Sequence, residues 1–72
     1  MKLKYLWGVF DAENTFVHDE LFVSMFDAID YCKSTWTYKE WKECEFTLNR
    51  FCVDVDNMAI IEFTEQINPY DH

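Results

Sequence analysis

One glycine, one proline and six basic residues in 72 positions set the first limits on this chain. So little glycine and proline excludes a flexible linker, a low-complexity protein or a long disordered tail. Gly8 is the sole glycine, so no Gly-rich loop exists to cradle a phosphate. The three cysteines, Cys32, Cys44 and Cys52, form an odd set without C-x-x-C spacing, which fits neither a disulfide framework nor a zinc site. They are expected to be reduced core residues, and neither a metal nor a cofactor is expected. Long apolar runs are also missing. In MKLKYLWGVF the run covers about six residues before Asp11, short of the about 7–15 of a signal-peptide core and the about 20 of a spanning helix. The expectation is a soluble, cytoplasmic protein without a membrane segment.

What is present is aromatic and acidic. Half of the residues are hydrophobic, and three Trp, four Tyr and seven Phe can supply the burial that a chain of this length otherwise lacks. The length predicts one domain, in which about 60–65% of the unfolded surface is buried.

The strongest local signal is the helix beginning near Met25. Met25, Ile29, Cys32 and Trp36 recur at steps of four, three and four, with Ala28 beside Ile29, and so form one apolar stripe of period 3.6. Ser24 followed by Asp27 is a capping-box-like start, and Asp27 favours the positive end of the helix dipole. Asp19 offers a rival, earlier cap. Asp27, Asp30, Lys33 and Ser34 fall on the opposite, solvent-facing side, with Phe26 and Tyr31 at its margins. Thr37 and Glu40 form a second capping box, which predicts a short helix through Trp41.

Strands are expected on either side. Leu3, Tyr5, Trp7 and Val9 alternate with Lys2, Lys4, Leu6 and Gly8, the pattern of a strand with one buried face. Asp11-Ala12-Glu13-Asn14 reads as a turn, after which residues 15–22 are expected to return as an edge strand interrupted by His18, Asp19 and Glu20. A strand over residues 45–55 changes parity, which places a bulge at Asn49-Arg50. Asp56-Asn57 then reads as a two-residue hairpin turn, MAIIEF as a central strand and residues 66–72 as a frayed end. Together these predict an α+β fold of two layers: an antiparallel sheet of four to five strands with one main helix on one face, in the order β-β-α-short α-β-β. Trp7, Val9, Met25, Ile29, Cys32, Val53, Ile60 and Phe63 are the expected core.

No arrangement of residues reads as catalytic. His18 and Glu20 would share one face of a strand and Asp19 the other, so the trio cannot converge without help from elsewhere. His72 sits in the expected tail. Asp54-Val55-Asp56-Asn57 has the alternating oxygens that open a calcium loop, but the turn glycine and the later ligands are absent, which leaves a strand edge and a turn.

Charge carries the functional expectation. Fourteen acids against six bases give a formal net charge of −8, with no base at all between Tyr5 and Cys32 or from Phe51 onward. Such a field disfavours binding to nucleic-acid phosphates or to an anionic membrane. The expectation is a non-enzymatic acidic protein-binding domain, a small inhibitor or regulator that docks on a basic surface of another protein, such as a groove that holds nucleic acid. Asp19, Glu20, Asp27, Asp30 and Tyr31 would make the contact, with Trp41 as an anchor and Phe26 and Tyr38 as further candidate anchors. The alternative is a structural or assembly protein that homo-oligomerises through a strand edge or an aromatic patch. In size, acidity and aromatic content, though in no motif, the chain resembles small phage-type inhibitors.

Overall fold

Residues 2–72, described by a computed structural model, run in the order β1 (Leu3–Phe10), α1 (Met25–Thr35), α2 (Tyr38–Glu43), β2 (Thr47–Asp54) and β3 (Ala59–Ile67), closing on one 3₁₀ turn at Pro69–Asp71. The strands form an antiparallel sheet in the order β1-β2-β3, so the fold is α+β with β-α-α-β-β connectivity. The expected count of four to five strands is corrected to three among the described residues. Residues 15–22 touch β1 at only two isolated points, Phe16 opposite Phe10 and Phe22 opposite Trp7. Between them Asp19 and Glu20 turn out to solvent and His18 turns to Tyr31 and Trp36 instead of joining a ladder, because an alternating strand there would turn every second polar side chain toward apolar neighbours. The segment still closes half of the outer edge of β1: the Trp7 N–H donates to the Phe22 carbonyl at 2.7 Å, and the Val17 N–H to the Val9 carbonyl at 3.0 Å.

Register divides the sheet into two unlike faces. Val9, Leu48 and Ile67 lie abreast on one of them, as do Trp7, Arg50 and Glu65, and α1 packs over this end with Ala28, Ile29 and Cys32 buried against Trp7, Val9 and Leu48. The opposite face sets Leu6, Phe51 and Phe63 abreast, and Lys4, Val53 and Ile60. Here, among the described residues, no helix lies over the sheet. Phe10 and Phe51 are buried by one another and by Phe16, whose ring centroid is 4.6 Å from that of Phe10 and 5.7 Å from that of Phe51. Single-sided burial was the expectation for β1, yet its second half is covered on both faces.

Gly8 is what lets the loop close on this second face. A Cβ added there would stand 3.1 Å from Leu21 Cδ2 and from Phe16 Cε1, and 3.2 Å from Phe51 Cε1. A branched side chain must push the loop away, so Gly8→Val is expected to cost about 1–3 kcal/mol in urea denaturation, the range for overpacking.

The helix ends follow their local signals. Ser24 caps α1, its Oγ accepting from the Asp27 N–H at 3.4 Å, which settles the start in favour of Ser24 over Asp19. At Thr37 the box is reciprocal: its N–H donates to Glu40 Oε1 at 2.8 Å and its Oγ1 accepts from the Glu40 N–H at 3.1 Å. That N–H, donating to the carboxylate, holds Glu40 below its usual range, so the contribution is complete above an ordinary glutamate value and is lost as pH falls through the lowered one. α2 ends in a Schellman motif. The Glu45 and Phe46 N–H groups reach the carbonyls of Lys42 and Trp41, Glu45 takes a φ of 56°, and the Phe46 ring meets the Trp41 ring at 5.7 Å.

Four further expectations are revised. The phase of β2 against β3 slips at Arg50/Phe51 and again at Cys52/Val53, with Thr64 and Ile61 of β3 left unpaired, rather than once at Asn49-Arg50. The hairpin turn spans residues 55–58 with Met58 at φ 54°, not Asp56-Asn57 alone. MAIIEF belongs to β3, an edge strand; β2 is central, and Ile60 and Phe63 are exposed while Met25 is half-buried. Finally, the tail is docked. Gln66 and Ile67 complete β3, Pro69 is buried, and the Tyr70 hydroxyl donates to the Trp36 carbonyl and, at 3.4 Å, to that of Cys32, supplying partners to the open carbonyl end of α1.

Candidate functional site

The outer face of α1 is the most unusual surface for its position. Phe26 is 70% exposed and Val23, just before the Ser24 cap, is 71% exposed, whereas a core-facing stripe occupies the other side of the helix. Helical spacing sets Asp30 one turn beyond Phe26, and Tyr31 one turn beyond Asp27. An apolar knob therefore stands among carboxylates. Among the described residues the one ion pair joins Lys39 and Glu43 at 3.9 Å, so Asp19, Glu20, Asp27 and Asp30 are exposed without a basic partner.

Beside this face lies an aromatic group that holds the loop to the helix. The Tyr31 hydroxyl is hydrogen-bonded to His18 Nδ1, and the His18 ring stacks on Trp36 with centroids 5.2 Å apart. Phe22 meets Tyr31 at 5.2 Å. Desolvation raises the Tyr31 hydroxyl above its ordinary value, with the carboxylate of Glu20 adding to the shift, which places Glu20 on this side of the molecule. His18 thus serves as a structural tie between loop and helix, and the trio His18-Asp19-Glu20 does not converge.

Of the residues expected at the contact, the structure brings Glu20, Asp27, Asp30 and Tyr31 to or beside one helix face and leaves Asp19 exposed on the adjoining loop. Trp41 is corrected. It is 5% exposed and packs against Trp36, Phe46 and Tyr70, so it belongs to the core and presents no free anchor. It helps to line an open cleft of about 360 Å³, together with Tyr38, Lys42, Glu45, Phe46, Thr47 and Asn68. Phe26 stands open as a candidate anchor, and Val23 is the exposed apolar residue that composition and charge did not bring forward. The available signal for Val23 was its place just before the Ser24 cap, outside the Met25–Ile29–Cys32 stripe.

Other candidate chemistry resolves into structure. Asp54 is buried, and its carboxylate accepts from the Asp56 N–H at 3.0 Å and from Asn57 Nδ2 at 2.8 Å, so it builds the β2–β3 turn. Among the described residues no group of three His, Cys, Asp or Glu is placed to hold a metal ion, and no helix is long and apolar enough to cross a membrane. All three thiols are free. Burial pushes Cys32 up to about 12, and Cys52 is buried in β2, while Cys44 is exposed. A charged thiol reagent at neutral pH is accordingly expected to modify one cysteine at once and the other two only on unfolding. Mass spectrometry of the quenched reaction, with the modified peptide located by digestion, checks this; rapid modification of Cys32 would mean that α1 does not seal the core.

Neither a protein-family model, nor a curated protein, nor a solved structure matches this chain.

Proposed function

We propose that the chain is a non-enzymatic protein-binding domain, an inhibitor or regulator whose acidic helix face docks on a basic surface of another protein. The observation that carries this reading is the exposed pair Val23, just before the cap of α1, and Phe26, in its first turn, set beside the unpaired carboxylates of Asp27 and Asp30. An apolar centre with a charged rim is the anatomy of a protein interface, and solubility alone calls for the charges but not for the phenyl ring. With a net charge of −8 the chain is drawn to basic surfaces from a distance, including those that otherwise hold nucleic acid. The test is capture of partners from the native host on immobilised protein at low and high salt, followed by mass spectrometry. A basic protein retained at low salt and released at high salt supports the reading, and retention independent of salt counts against it.

The strand-edge form of the alternative reading is weakened by the outer edge of β3. Two irregularities in nine residues interrupt the flat row of donors and acceptors that a second strand would need.

A further inference from the structure

We infer that the uncovered face of the sheet, on the side away from α1, is where a second copy of this chain docks. Three observations carry this. First, the face is apolar and open. Phe16, Leu21, Ile60 and Phe63 are each more than a third exposed around the buried Phe10 and Phe51, with Phe63 at 46%.

Second, the carboxylates avoid it. Register puts Asp54, Glu62 and Glu65 on the helix side, whereas the strand positions of the open face carry Lys4 and uncharged residues only. In a chain with fourteen acids, this is the surface across which two copies can meet without setting carboxylates opposite one another. A basic foreign partner would be drawn instead to the acidic surfaces, which are elsewhere. Third, a domain of 72 residues with a helix on one face of its sheet has a small core, and association is one of the usual ways in which short chains complete theirs.

The size of the patch sets the strength of the contact. Four side chains with roughly 40% of about 200 Å² each open leave on the order of 300 Å², at the lower end of functional patches and below the about 800 Å² per partner of a standard stable interface. The dimer is therefore weak and concentration-dependent. It is also isologous, since one patch serves both copies.

Sedimentation velocity from low micromolar to millimolar protein reads this directly. The expected result is a shift from monomer to dimer that is promoted by added salt, because salt screens the repulsion between two chains of charge −8. Salt acts in the opposite direction on the acidic contact proposed above, so the two readings fail separately. Ile60→Lys should hold the protein monomeric over the whole range while its circular dichroism is unchanged. Leu21→Ser, on the loop side of the same face, is the second variant should the first not fold, and Phe26→Ala on the helix should leave the dimer as it was. A monomer at every concentration overturns the inference, as does a dimer that survives both face variants. Slowed amide exchange along the outer edge of β3 on association would also overturn it, since that is the mark of strand pairing.

Discussion

Replacing Trp41 with alanine should lower the unfolding free energy by about 3–5 kcal/mol, the range for truncating a buried aromatic side chain. The indole is enclosed by Trp36 at 5.7 Å, Phe46 at 5.7 Å and Tyr70 at 6.1 Å, which come from the end of α1, the start of β2 and the docked tail. No single neighbour can collapse into the space without leaving the others unsupported. The same ring closes the Schellman end of α2, so its loss frees that short helix as well. Urea denaturation of the variant should show a lower midpoint with an unchanged slope. A residue that only anchored a partner would lose binding and keep stability; a loss below about 1 kcal/mol would return Trp41 to the surface.

Reversing Asp27 and Asp30 together to lysine is expected to weaken capture of a basic partner by several kcal/mol, since favourable pairs become like-charge contacts. Both side chains are exposed, so the fold should persist. Asp27 lies in the first turn of α1, and its reversal also forfeits on the order of 0.3–1 kcal/mol of interaction with the helix dipole. Asp30→Lys alone separates the two effects, because Asp30 lies beyond that turn. For the unaltered protein the association rate should fall steeply as ionic strength passes about 0.15 M, where the Debye length is about 8 Å. Solubility as the whole purpose of the charge predicts otherwise: the reversed variant would aggregate sooner yet retain the same partners. Equal capture by both proteins at both salt concentrations would remove the acidic contact from consideration.

Much of the candidate site was legible in the chain. Asp27, Asp30 and Tyr31 could be set on the outer side of a helix because Ile29 and Cys32 define its inner side, and Glu20 could be expected nearby. Val23 was harder to read, since it precedes the Ser24 cap and belongs to no helical stripe. A phenyl ring at a stripe's margin can be covered or open, and only the tertiary structure shows that Phe26 stands in water. Trp41 was misjudged for the converse reason. Its neighbours Lys39, Lys42 and Glu43 suggest a solvated turn of helix, while its burial depends on the tail returning over α2.

The chain by itself determined what acts within a few residues: the cap at Ser24, the reciprocal box of Thr37 and Glu40, the alternation that makes β1, and the side of α1 that turns inward. Each of these is a contact between near neighbours and is written in their order. The tertiary structure alone decided which strand is central and which is an edge. MAIIEF has the composition of a central strand, yet β2, with Asn49, Arg50 and Asp54, takes that place because two antiparallel neighbours flank it. It also decided that residues 15–22 bridge rather than pair, since their polar centre finds Tyr31 and solvent instead of a ladder, and that the last residues dock, since the carbonyls awaiting Tyr70 lie more than thirty positions earlier. Periodicity tells which side of an element is apolar. What covers that side is set by parts of the chain too distant in sequence to leave a local mark.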